Sequence, residues 1–152
     1  MARARILVVD DEADILAAVK GFLEGAMEVE VVTANSGAEG LEAMRSGPVD
    51  LILSDFRMPN MDGLEFLRRA AEMRPELPRV LMTAFPDMQL AISALNQAHI
   101  AHFVTKPVDP EKLRDMLEHL LSTTRKGRQR DQALQRLAAV AGEKKSGSKD
   151  GT

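Results

Sequence analysis

The sequence predicts an α/β protein in which five strands alternate with five helices and form a parallel sheet covered on both faces. Two observations lead there. The runs "RILVVD" (5–10), "DLILSD" (50–55) and "PRVLMTA" (78–84) are almost unbroken apolar stretches, as expected of strands buried on both sides. The segments between them carry apolar residues at helical spacing, and strand–helix alternation of this kind is the signature of a parallel α/β sheet.

The elements follow in order. After strand 5–10, "ADILAAVKGFLEG" (13–25) places Ile15, Leu16, Val19, Phe22 and Leu23 on one helical face. "MEVEVVTA" (27–34) alternates, as a strand open to water on one side does. "SGAEGLEAMRSG" (36–47) opens on a capping Ser36 and closes on Gly47. Strand 50–55 leads to helix "GLEFLRRAAEMRP" (63–75), stopped by Pro75. Strand 78–84 precedes helix "DMQLAISALNQA" (87–98). A short strand "AHFVTK" (101–106) and helix "DPEKLRDMLEHLLS" (109–122), with Pro110 in its first turn, complete the body.

Composition bounds the class. The 152 residues, 45% hydrophobic and 28% charged, suit one globular domain with a small appendage. There is no cysteine, which excludes a disulfide framework and any Cys-based metal or nucleophile site. "MARARILVVDDE" has too short an apolar run for a signal peptide, and no stretch reaches membrane-span length. The expectation is a soluble cytoplasmic protein with no membrane partner.

Residues 1–124 hold 12 lysines and arginines against 20 acids, a net of −8, whereas 125–152 hold 8 against 3, a net of +5. This shift predicts a body over 1–124 and a basic tail over 125–152, with a short helix at about 129–141 and a disordered end beyond Gly142. The cluster Arg125, Lys126, Arg128 and Arg130 has no Tyr or Trp beside it. A solvated linker is therefore expected rather than a nucleic-acid surface. The tail helix could dimerise, dock on the body, or lead into an output domain.

The chemistry gathers at the strand ends. Strand one closes on Asp10 and Asp11, strand three on Asp55, strand four on Thr83, and strand five on Lys106. In parallel α/β sheets, ligands bind outside the carboxyl ends of the strands. If strands one and three are neighbours, three carboxylates converge there. Crowded carboxylates repel and call for a cation. Hard oxygen ligands with room for water suit Mg²⁺. Lys106 and Thr83 would complete a phosphoryl site, one by charge and one by hydrogen bonding. Glu12 and Asp14 are read as first-turn helix acids. His99, His102 and His119 are read as surface residues, with no third ligand near the first two in sequence. No P-loop follows strand one.

The motifs "VVDDE", "DLILSDFRMPNMDGLEFL", "VLMTA" and "FVTKP", in this order and spacing, resemble the receiver domain of two-component response regulators over about residues 4–122. The resemblance implies a doubly wound, flavodoxin-like (βα)5 fold with strand order 2-1-3-4-5. It implies that Asp55 is the phosphoacceptor, that Asp11 and Asp10 hold Mg²⁺, and that the main-chain carbonyl of Arg57 adds a ligand. Lys106 would pair with the phosphoryl group, Thr83 would hydrogen-bond to it, and Phe103 holds the aromatic switch position. Lys106–Pro107 corresponds to a bond that is usually cis in the family. The implied partner is a sensor histidine kinase or phosphotransfer protein. The implied output is a downstream protein, an output domain or a homodimer, engaged through the face of helix four, strand five and helix five. Such a protein is a signalling phosphoacceptor rather than an enzyme with a separate substrate.

Two alternatives stay open at this stage. The chain could be the front of a longer regulator, or a phosphatase of the haloacid dehalogenase type. The latter wants an Asp two residues after the nucleophile, where this chain has Arg57. Arg57 and Phe85, each two residues past a site residue, are further expected to shield an acyl phosphate from water and lengthen its life.

Overall fold

The computed structural model describes residues 3–84, 87 and 93–123, with the backbone alone at 94 and 95. The chain divides into two compact units, Met1–Leu121 and Ser122–Thr152. Of the second, only 122 and 123 are among the described residues. The tail helix, the boundary near residue 125 and Phe85 therefore lie outside them.

Five strands, β1 (Ala4–Val9), β2 (Val29–Ala34), β3 (Leu51–Asp55), β4 (Arg79–Thr83) and β5 (His102–Thr105), form one sheet of order β2-β1-β3-β4-β5. Every pairing is parallel. Between them lie α1 (Ala13–Ala26), α2 (Gly37–Ser46) and α3 (Gly63–Met73). Residues 110–123 form a final helix, α5. The fourth helical segment, expected over 87–98, is described only at its end. There it is a π-helical turn, Ala94–Ala98, here called α4, closed by His99 in the left-handed conformation (φ 49°, ψ 50°). The expected elements are otherwise present. β1 and β5 end one residue short of Asp10 and Lys106, so these two side chains stand just beyond the last ladder residue.

The unbroken apolar strands are buried because each strand feeds two cores. Ile6, Val8, Leu51, Leu53, Val80 and Met82 face α1 and α5, packing on Leu16, Leu23, Leu113 and Leu117. Leu7, Val9, Ile52 and Leu81 face the other way, onto Leu41, Met44, Phe66, Leu67 and Ala98. Successive side chains of a strand point to opposite faces, so a run with both faces covered loses its polar alternation. β2, at the edge, keeps it: Glu30 and Thr33 are exposed between buried Val29, Val31 and Ala34.

Local signals set the helix ends. Ser36 Oγ accepts from the Glu39 amide at 3.1 Å, and Glu39 Oε1 accepts in turn from the Asn35 amide at 2.9 Å. Asp62 Oδ1 accepts from the Glu65 amide at 2.8 Å and starts α3. Asp109 Oδ1 accepts from the Glu111 amide at 3.0 Å and leaves Pro110 the first helical position of α5. Gly40 admits the ring of Phe66; a Cβ there would sit 2.7 Å from it.

The outer edge of β2 is closed at its centre. The Val31 amide donates to Glu24 Oε2 at 2.9 Å, and its carbonyl accepts from Lys20 Nζ at 2.9 Å. Lys20 and Glu24, one turn apart on α1, are themselves paired at 3.2 Å.

Candidate functional site

β1 and β3 are neighbours, so the strand-end carboxylates meet. One carboxylate oxygen from each of Asp10, Asp11 and Asp55 lies within 4.8 Å of the others. Asp10 is fully buried, Asp55 is 7% exposed, and Asp11 faces solvent. Two buried acids and one open one make a cup with a wet rim, a geometry suited to a hard cation that keeps some of its water.

Lys106 enters from beyond β5. Its Nζ lies 2.7 Å from Asp55 Oδ1 and 3.3 Å from Asp10 Oδ2. Its own amide donates to the Thr83 carbonyl at 2.9 Å, which ties the β5 end to the β4 end. The following Lys106–Pro107 bond is cis. Thr83 is buried and pairs with Thr105 in the β4–β5 register.

The electrostatics follow from burial and crowding. Burial pushes the Asp10 carboxyl above the ordinary aspartate range. The Glu12 amide, 3.0 Å from Asp10 Oδ1, works against that, the Asp55 charge adds to it, and the Lys106 ammonium opposes it. For Lys106, burial acts downward, but the hydrogen bond to Asp55 and the two carboxylate charges outweigh it and leave the ammonium above its usual value. The cluster is thus charge-tight, with one ammonium serving two acids.

The backbone around Asp55 is fixed from several directions. Ser54 Oγ, fully buried, donates to the Asp55 carbonyl at 2.9 Å. The Phe56 amide donates to the Met82 carbonyl at 2.9 Å, and the Gly63 amide to the Phe56 carbonyl at 2.7 Å. Gly63 passes so close that a Cβ would fall on the Asp55 carbonyl oxygen. Asn60 takes φ 71° in the turn between, a conformation for which Asn is favoured among non-glycine residues.

The sequence-expected residues therefore come together at one rim: Asp10, Asp11, Asp55, Thr83 and Lys106. Arg57 sits exposed in the loop after β3. Phe103 is half-buried, packed at the margin of the α2–α3 core. Glu12 and Asp14 occupy the cap and first turn of α1, and His99, His102 and His119 are exposed. Ser54 and Gly63 escaped the sequence reading; the only signals were a polar residue inside "LILSD" and a glycine at a helix start. Beside Lys106 opens an apolar cleft of about 290 Å³ between α1 and the start of α5, lined by Ile15, Val19, Phe22, Val108 and Leu113.

The cluster lies at the carboxyl ends of a 2-1-3-4-5 sheet, where doubly wound sheets bind their ligands. The family model described as the response regulator receiver domain matches residues 6–118. The chain belongs to that family. It is 38% identical over 122 residues to the DNA-binding transcriptional regulator NtrC of Escherichia coli K12, covering 80% of this chain and 26% of that protein. The chain thus spans about a quarter of the length of that curated relative. A CheY-like response regulator receiver domain protein from Methanospirillum hungatei JF-1 superposes with a TM-score of 0.78 at 30% identity, over 83% of this chain and 99% of the other. NtrX from Brucella abortus superposes with a TM-score of 0.77 at 30% identity, over 86% of this chain and 30% of that one. Family membership removes the haloacid dehalogenase alternative. Among the described residues no helix is long and apolar enough to cross a membrane.

Proposed function

We propose that the protein is a phosphorylation-controlled switch in which Asp55 accepts a phosphoryl group from a phosphohistidine on a sensor histidine kinase or phosphotransfer protein. The observation that carries this is the meeting of three carboxylates and one ammonium at the rim. An Asp55 oxygen attacks phosphorus, the P–N bond breaks, the imidazole nitrogen keeps the electron pair, and an acyl phosphate remains. Asp10, Asp11, Asp55 and the main-chain carbonyl of Arg57 would hold Mg²⁺, which when bound would supply positive charge to offset the phosphoryl oxygens. Lys106 exchanges its Asp55 contact for a phosphoryl oxygen, and the Thr83 hydroxyl donates to another.

The response passes from Thr83 to Phe103, one strand over, and from there to the face made by α4, β5 and α5. That face meets a downstream protein, an output domain or a second copy. The chain acts on no separate substrate. Residues 1–124 form the receiver and 125–152 a basic linker, in the cytoplasm. The apolar cleft beside Lys106 gives the phosphodonor protein a surface to cover while its histidine reaches Asp55. The coverage of NtrC, a longer DNA-binding regulator, favours an output carried further along a longer protein.

The test is intact mass after incubation with a small-molecule phosphodonor, with and without EDTA. The mass of one phosphoryl group is gained with Mg²⁺, lost with EDTA, and absent in Asp55→Asn. Phosphorylation of Asp55→Asn, or equal rates without metal, overturns the assignment.

A further inference from the structure

Arg79 opens β4, at the end of the sheet opposite the carboxylate cluster, and is only 5% exposed. No carboxylate lies within ion-pair distance of it among the described residues. Burial pulls its pKa below the ordinary guanidinium value, with the charge of Glu76 acting against this. A buried cation is costly unless its donors are used. Arg79 uses them on main-chain carbonyls. Nη1 donates to Leu77 O at 2.8 Å, Pro75 O at 3.2 Å and Arg74 O at 3.3 Å, in the turn that closes α3. Nε donates to Ala98 O at 2.9 Å and Nη2 to His99 O at 3.2 Å, where α4 ends. Its own carbonyl accepts from the Ala101 amide at 2.7 Å.

Three of these bonds hold the turn after α3 and three hold the connection between α4 and β5. Helix C-termini carry partial negative charge and orphan carbonyls, and a cation there satisfies both. Here one guanidinium does so for two helices at once. It also holds His99 in a left-handed conformation that a non-glycine residue adopts at a steric cost. Lysine could supply the charge but not the planar fork that reaches both helix ends.

We propose that Arg79 is the anchor of the α4–β5 connection: it fixes residues 98–101 to the start of β4, so that the signalling face rearranges against a stationary end. The inference rests on the phosphoacceptor reading of Asp55. Thr83 and Arg79 are then the two ends of one five-residue strand, the first at the phosphorylated rim and the second where α4 is held. Arg79 is a positioning residue; it does not touch the reacting atoms.

The experiment is residue-resolved amide exchange and chemical-shift mapping of the whole chain, before and after treatment with a small-molecule phosphodonor and Mg²⁺. In the parent, phosphorylation moves the amides of Thr83, Phe103 and Lys106 and leaves 98–101 unmoved. In Arg79→Met, which keeps the apolar stem, exchange at 98–101 accelerates on the order of tenfold or more. Asp55 is still phosphorylated, and the phosphorylation-dependent shifts now extend into 98–101. Arg79→Lys falls between the two, and decides by the same readouts if Arg79→Met does not fold. A purely structural role would change exchange but leave the pattern of phosphorylation-dependent shifts as in the parent, and that outcome overturns the proposal. So does a parent protein whose 98–101 amides move as much as Phe103. If the parent gains no phosphoryl mass, the phosphoacceptor reading has failed instead, and unchanged exchange in Arg79→Met then rejects the anchor independently.

Discussion

The Lys106 ammonium reaches Asp55 across the full width of β4: one residue follows β5, the other ends β3, and Nζ and Oδ1 stand 2.7 Å apart. The same ammonium lies 3.3 Å from buried Asp10. Without metal it is the cation that makes this crowding tolerable. Lys106→Met is therefore expected to lower the stability of the metal-free protein by roughly 1–3 kcal/mol, the range for a hydrogen bond to a charged group or an orphaned one. Saturating Mg²⁺ should recover most of the loss. Urea unfolding with and without Mg²⁺ measures both; an equal deficit in the two conditions would show that the acids are not sharing a cation.

Asp10 sets the pH behaviour of the carboxylate cluster. Its folded pKa is raised, so its contribution to stability is fully present below the unfolded value of about 3.9 and is lost as pH rises through the folded value. Mg²⁺ needs the deprotonated acid, so its affinity should fall as pH drops through that same window. Titrating Mg²⁺ at a series of pH values reads the second effect, and thermal unfolding of the metal-free protein reads the first. In Asp10→Asn the stability slope should flatten.

Gly63 fixes where Asp55 points. Because a Cβ at 63 would fall on the Asp55 carbonyl oxygen, Gly63→Ala must push the β3–α3 turn away from the strand. Overpacking of this kind costs roughly 1–3 kcal/mol, occasionally more. The Asp55 carboxylate moves with its backbone, so the rate of phosphorylation should drop further than the loss of folded protein explains. A variant that phosphorylates at the parental rate would show that the turn can yield without disturbing the acid.

On the solvent face of α3, Glu65 accepts from Arg68 at 2.8 Å and Arg69 at 2.7 Å, and these hydrogen bonds hold its pKa down at about 2. A depressed acid stabilises above its unfolded value of about 4.3. That stabilisation is lost as pH falls through about 2. The advantage of the parent over Glu65→Gln should be largest near neutrality, shrink in acid, and be reduced by salt, since the carboxylate is open to solvent on one side. Parallel acid-unfolding curves at low and high salt would contradict this.

How much of this was legible depended on whether a residue's partner shows in its own sequence context. The apolar runs at 50–55 and 78–84 gave the strands because burial on both faces leaves a compositional trace. Asp10, Asp11, Asp55 and Thr83 were legible because each closes or follows such a run, Lys106 because it closes the short strand after them, and a parallel sheet brings strand ends together. Arg79 was not. It stands inside "PRVLMTA" and its partners are main-chain carbonyls, which any residue supplies. Ser54 and Gly63 were missed for the same reason: each acts on the backbone of Asp55. The π-helical turn at Ala94–Ala98 ends on the carbonyls that Arg79 holds, and helical periodicity does not distinguish a π-turn from an α-helical one.

The closure of β2 at Val31 has a consequence for how this chain meets other chains. A strand adding to that side of the sheet would need the Val31 amide and carbonyl, and α1 already occupies both through Glu24 and Lys20. Exposed strand edges are where folded proteins join into aggregates. The protection here is a pair of opposite charges one helical turn apart, each standing in for half of a missing neighbour strand. Lys20 and Glu24 thus belong to the solubility of the protein rather than to its chemistry, and they leave the sheet with a direction in which it cannot grow.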